Sequence, residues 1–265
     1  MDPPASVAGV LAGYDHLIAA AQRLQWDEQA IDLTADRARV ARLGKQDRAL
    51  LTELVAGFWV AERAVACELQ PFIAAATTGG PAAARVAFAQ QARDEARHAR
   101  FFSRVADEVL ALGDDSAVRA AASRPVRALF ETELPAAARA LAADDARMAD
   151  AVGLYHLVLE GIVFAVGQQA LRELCATDGG LPGIADGIAR VQGDERWHIG
   201  LGVLHLQRLG SIGNPTLLAA RAGRASAAWG PAIATPQRIA HVTTTHARRL
   251  RIINAETAAA IESAA

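Results

Sequence analysis

The sequence predicts an all-α protein built as a bundle of long helices, and three observations carry that prediction. Alanine, the strongest helix former, dominates the composition. Alternating runs of β-branched residues, the mark of strands, do not occur. Breaker clusters at Thr77 to Pro81, Gly113 to Ser116, Asp178 to Gly183, Gly210 to Pro215 and Gly230 to Pro236 divide the chain. The pieces between them run for about 15 to 33 residues, the lengths of bundle helices.

Taken in order, helices are expected at 5–24, 46–76, 82–111, 116–141, 144–176, 182–209, 214–228 and 236–262. Residues 25–45 read as an arm with a short helix. Pro135 is expected to kink or end its helix, because proline has no amide hydrogen and its ring crowds the preceding turn. With 265 residues, no linker and no internal repeat, a single domain over 1–265 is expected.

Composition narrows the function. Hydrophobic residues make up 52% and charged residues 21% of the chain, which is the balance of a folded core. A net charge of −2 argues against a nucleic-acid partner. Cys67 and Cys175 are too few for a disulfide scaffold and read as buried thiols of a cytoplasmic protein. Met1-Asp2-Pro3-Pro4 lacks the basic and apolar regions of a signal peptide. Ala151 to Leu171 is apolar enough to span a bilayer, but Glu160 sits at its middle with His156 one turn earlier. A buried bundle helix is expected there rather than a transmembrane segment.

The chemistry lies in Glu-x-x-His, which occurs as Glu95-Ala-Arg-His98 and again as Glu195-Arg-Trp-His198. Residues three apart share a helix face, so each copy aims one carboxylate and one imidazole the same way. Glu62 stands 33 residues before the first copy and Glu160 stands 35 before the second. Either distance is one helix, a turn and part of the next, which places the lone glutamate on an antiparallel neighbour. Phe58, Val65 and Leu69 surround Glu62, and Leu157, Val163 and Phe164 surround Glu160. Carboxylates buried among such residues need counter-charge. Four carboxylates balance two divalent cations, and two imidazoles complete a mixed oxygen and nitrogen set suited to iron or manganese.

This pattern resembles the ferritin-like dinuclear carboxylate proteins, over about residues 20 to 210. The 62 residues from His98 to Glu160 leave room for an additional helix at 116–141, as in the ribonucleotide reductase small subunit and its relatives. The resemblance implies a ferritin-like four-helix metal-binding bundle with additional helices. Gln25-Trp26 through Leu33 resembles the tryptophan arm of that group, and Asp194 before Glu195 matches its Asp-Glu-x-x-His signature. Trp26, Asp194 and His98 are then implied to form a hydrogen-bonded chain. The resemblance also implies Glu62, Glu95 and His98 at one metal and Glu160, Glu195 and His198 at the other, with Glu95 and Glu195 bridging.

Two features depart from a reductase subunit. Phe102 stands where that enzyme usually carries its radical tyrosine, and the last 110 residues contain no tyrosine for radical transfer. Tyr155, five residues before Glu160, and Val65, three after Glu62, instead resemble the R2-like ligand-binding oxidases. That resemblance implies O₂ activation at a Mn/Fe centre or at two Fe, a fatty-acid-like ligand, a Val65–Tyr155 ether cross-link and a homodimer. On an ideal helix Tyr155 would point away from Glu160, so a π-type distortion between them is expected. A reductase small-subunit homologue and another di-iron oxygenase stay open as alternatives. An arylamine oxygenase fits less well, because Val191 stands where its extra histidine would be. His156 is placed outside the ligand set, and His16, His205, His241 and His246 carry no partner pattern. Arg93, Arg97 and Arg100 are expected on a solvated helix face.

Overall fold

The computed structural model describes residues 13–77, 80–177 and 180–250. The expected starts and ends at 5–12 and 251–262, and part of the two glycine-rich breakers, lie outside them. Helix α1 (Tyr14–Arg23) leads through an extended arm and a 3₁₀ turn (Glu28–Ala30) into α2 (Thr34–Val40). The arm and short helix of 25–45 are thus both present. Helix α3 (Lys45–Glu68) runs directly into α4 (Gln70–Ala75). The expected single helix over 46–76 is split there, where Pro71 lies in the first turn of α4.

Helix α5 (Ala82–Arg104) continues into a π turn at Val105–Val109. The segment expected as one helix at 116–141 is two. Asp114 caps α6 (Asp115–Ala121), accepting from the Ala117 amide at 3.0 Å. Ser123 then caps a new start, α7 (Arg124–Ala128), with its hydroxyl accepting from the Val126 amide at 3.3 Å. Pro135 neither ends nor breaks its helix. It lies within one unbroken helical run, just after a π turn at Leu129–Glu133 that leads into α8 (Leu134–Ala143), so the proline is met by a local distortion of the helix.

After a 3₁₀ turn come α9 (Met148–Val152), a twelve-residue π stretch (Gly153–Phe164) and α10 (Ala165–Cys175). The distortion expected between Tyr155 and Glu160 is therefore present and longer than required. Its backbone is satisfied partly from outside, because Trp229 Nε1 donates to the Val163 carbonyl at 2.7 Å. The Trp229 ring can lie there because Gly57 and Gly167 carry no side chain. A Cβ on Gly57 would stand 2.2 Å from the ring and one on Gly167 2.5 Å. The long helix Asp145–Cys175 has the length and hydropathy to cross a membrane, but its most apolar window is 83% buried within the fold. It is a core helix, as expected.

Helix α11 (Pro182–Leu209) ends on Gly210, whose left-handed φ of 63° is the usual helix stop. Helices α12 (Pro215–Ser226) and α13 (Pro236–Leu250) come last. The core bundle is α3 against α5, and the π stretch with α10 against α11, closed by contacts of α1 and α11 with α5. These four elements carry the two Glu-x-x-His copies and the two lone glutamates. Cys175 is buried as expected, but Cys67 is exposed near the end of α3, on the side turned from the core.

Candidate metal centre

Six side chains from four helices meet in the middle of the bundle. Helix α3 contributes Glu62, α5 contributes Glu95 and His98, the π stretch contributes Glu160, and α11 contributes Glu195 and His198. None is more than 4% exposed. Glu62, Glu95, His98 and Glu195 place ligand atoms within 4.8 Å of one another, and so do Glu95, Glu160, Glu195 and His198. Glu95 and Glu195 are shared between the two groups. The first imidazole turns Nδ1 toward Glu95 at 3.3 Å and Glu62 at 3.6 Å. The second turns Nδ1 toward Glu95 at 2.9 Å, Glu160 at 3.4 Å and Glu195 at 3.5 Å.

The donor set fits two cations. Both oxygens of Glu62 and of Glu195, one oxygen each of Glu95 and Glu160, and Nδ1 of both histidines are buried without a hydrogen-bond partner. Leaving one such atom unpaired costs about 1–3 kcal/mol, more for charged groups, so a cluster this dense needs something positive at its centre. Within the protein alone only protons can serve. Burial pushes Glu62 and Glu160 well above the usual carboxylate range, and the Glu195 charge adds to the shift at Glu160. Burial also acts on Glu95, but the two imidazolium charges outweigh it and hold that carboxyl well below its usual value. Burial would lower both histidines, yet the carboxylates around them raise both well above normal. Groups pulled this far apart in one place are the mark of a functional site. Two divalent ions would replace the shared protons and meet every orphaned donor. The bundle thus holds a buried carboxylate and histidine cluster suited to two metal ions.

Around the cluster, Asp194 Oδ2 lies 3.0 Å from His98 Nε2 and accepts from Trp26 Nε1 at 2.8 Å. The chain implied by the resemblance is thus formed, and it leaves Nδ1 of His98 facing the carboxylates. Tyr155 lies fully buried beside the cluster and donates its phenol to Glu95 Oε1 at 2.7 Å. Burial and the neighbouring carboxylates hold that phenol protonated, well above its ordinary pKa. Val65 is buried one turn after Glu62. Phe101 and Phe102, one turn after His98, and Val163 and Phe164, one turn after Glu160, form a fully buried apolar wall.

Four residues escaped the sequence reading. Arg97 is not on a solvated face. It is 5% exposed and joins Asp94 and Asp194 at 2.8 Å each, while Arg93 and Arg100 do face outward. Asp94 precedes Glu95 as Asp194 precedes Glu195, so the repeated unit is Asp-Glu-x-x-His. That duplication was the available signal for both Asp94 and the cation between the two aspartates. Gln91, one turn before Glu95, donates to Glu160 Oε1 at 2.8 Å and to the Tyr155 hydroxyl at 3.1 Å. Its carbonyl oxygen lies 3.0 Å from His156 Nε2, which fixes His156 outside the ligand set. His205, without a pattern in sequence, pairs through Nδ1 with the Tyr14 hydroxyl at 2.7 Å.

No family model matches the chain. Among solved structures, the fold is similar to mutants of an R2-like ligand-binding oxidase. One with an aerobically reconstituted Mn/Fe cofactor gives a TM-score of 0.74 at 22% identity, covering 96% of this chain and 90% of that one. One with an anaerobically reconstituted Mn/Fe cofactor gives 0.71 at 23% identity over the same shares. A third, with a non-activated Mn/Mn cofactor after aerobic reconstitution with Mn and Fe, gives 0.69 at 23%, again over 96% and 90%. Identities this low establish architecture and leave activity to the residues. The chain has the R2-like, ferritin-like fold, with a carboxylate and histidine cluster buried at the centre of its helices.

Proposed function

We propose that the chain is an O₂-dependent oxidoreductase with a dinuclear Mn/Fe or Fe/Fe centre. The observation that carries this reading is the set of buried, unpartnered donor atoms in two overlapping groups of four residues. Glu62 and His98 would hold one ion, Glu160 and His198 the other, and Glu95 and Glu195 both. Bound there, the metals would supply O₂ activation and electron transfer, which no side chain of the site supplies. Similarity to oxidases solved with Mn/Fe cofactors supports the choice of metals.

The protein's own residues prepare the oxidation. The apolar wall excludes water from a site where strong oxidants would otherwise be quenched. Asp194 orients His98, as carboxylates behind metal-ligating histidines commonly do. Glu95 Oε1 accepts the Tyr155 phenol and is placed to receive its proton. In this reading Tyr155 and Val65 are the residues oxidised first. Val65 gives up its Cβ hydrogen and Tyr155 its phenolic hydrogen, Oη bonds to Cβ, and O₂ is the acceptor of the two electrons and two protons released. A fatty-acid-like ligand whose carboxylate reaches the metals belongs to the same reading. Phe102, buried in the wall, leaves no tyrosine at the position a reductase subunit uses.

The test is peptide mass spectrometry on protein loaded anaerobically with Mn(II) and Fe(II) and then exposed to air. A Val65 peptide joined to a Tyr155 peptide, lighter than their sum by two hydrogens, is expected. Linear peptides alone in protein that holds two metals would remove the cross-link, and protein that takes up no metal would remove the whole reading.

A further inference from the structure

A cleft of about 550 Å³ runs from the surface to Glu160 and Glu195 between α10, α11 and α13. That is an ordinary size for a small-molecule site. Its lining changes along its length. Beside the carboxylates, Gly161 leaves room for the His246 ring, which would stand 2.3 Å from a Cβ there. The apolar part of the lining is Ala165, Ile199 and Val242. Further out on α10 lies Gln168, 3% exposed, with no hydrogen-bond partner for its amide Nε2. One turn beyond is Arg172, which donates to Gln192 of α11 at 3.2 Å. Gln192 and Arg196 share a face of α11, so the two guanidinium groups flank the same mouth. Both arginines are exposed, and neither makes an ion pair among the described residues. The remaining charge at the mouth, Glu173, is taken by Arg238.

An apolar channel for a plain acyl tail would end in apolar residues. This one ends in two guanidinium groups that make no ion pair among the described residues, beside a buried amide Nε2 that has no acceptor there. We infer that the cleft binds a two-ended organic anion: one end reaches the dinuclear centre, a short apolar stem passes Ala165, Ile199 and Val242, and a second carboxylate docks on Arg172 and Arg196. The inference rests on the proposed metal centre for the role of the inner end and narrows the fatty-acid-like ligand to a dianion. Gln168 Nε2, one turn before Arg172, serves the outer carboxylate.

The test compares decanedioate with decanoate by calorimetric titration of anaerobic protein loaded with Mn(II) and Fe(II), with metal content measured on the same samples. Decanedioate is expected to bind at least tenfold more tightly than decanoate. In the R172Q/R196Q variant, whose changes lie on the exposed rim, that preference is expected to fall below threefold. Equal affinities, tighter binding of decanoate, a preference that survives in the variant, or no binding of either to protein holding two metals would overturn it. A preference lost in the variant, in protein that binds no metal, would uphold the cleft's specificity and overturn the metal centre instead.

Discussion

The two copies of Asp-Glu-x-x-His are alike in sequence and unlike in their ties. Around His98 the supporting aspartate is engaged. Asp194 lies 3.0 Å from the imidazole Nε2 and also holds Trp26 and Arg97. Around His198 the matching aspartate stands off, with Asp94 3.7 Å from Nε2 and its other oxygen taken by Arg97, Gln90 and Gln25. That half is tied through its own carboxylate instead, by Gln91 to Glu160, while Tyr155 donates to the shared Glu95. The cleft opens on the second half, at Glu160 and Glu195. A duplicated motif has therefore been put to two uses. His98 is braced from behind by Asp194, whereas His198 lacks that hydrogen bond and lies on the side where the cleft opens.

The largest effects should come from the residues the two halves share. Glu95→Ala or Glu195→Ala should abolish loading of both ions, whereas Glu62→Ala or Glu160→Ala should leave about one per chain, read by elemental analysis of dialysed protein. A matched loss in all four variants would erase the distinction between shared and private ligands. Next is Arg97, the cation between the two aspartates. Arg97→Met should destabilise the fold by about 3–5 kcal/mol in urea unfolding, because two buried carboxylates lose their partner together.

The aspartates sharpen the contrast between the halves. Asp194→Asn should weaken metal binding about 10- to 100-fold, the usual cost of losing a carboxylate behind a metal-ligating histidine. Asp94→Asn should cost less than about tenfold, since no hydrogen bond to His198 is lost. Competition against a metal-sensitive dye measures both, and equal losses would mean the halves are braced alike. The smallest effect lies outside the centre. Burial pulls His205 down to about 4, so the native imidazole stays neutral while the unfolded chain takes up a proton below about 6.5. Stability should then fall as pH drops from 6.5 toward 4, by about 1 kcal/mol at pH 5.5 from this group. His205→Gln should remove that share of the slope in unfolding curves taken across the window.

How much of this was legible in sequence depended on periodicity and repetition. Glu95, His98, Glu195 and His198 were readable because helix geometry turns a spacing of three into a shared face, and Glu62 and Glu160 because each stands one helix and a turn before its copy among apolar neighbours. The π stretch was expected because the resemblance to the ligand-binding oxidases puts Tyr155 on the side of Glu160, which an ideal helix does not. Arg97 was misread for a physical reason. Three arginines at helical spacing look like a wet stripe, and only the packed arm and α11 show that Trp26 and Asp194 cover the middle one. The break before Ser123 was missed because a serine cap competes with strong alanine propensity on either side, and the cap with its nearby proline wins locally. The cleft could not be read at all, because Gln168, Arg172 and Arg196 gain meaning only when α10 and α11 stand side by side.

The most direct test is anomalous diffraction at the manganese and iron edges from crystals of the loaded protein. Two peaks are predicted, one enclosed by Glu62, Glu95, His98 and Glu195 and the other by Glu95, Glu160, Glu195 and His198. A single peak, an empty centre, or ions held elsewhere on the chain would contradict the account.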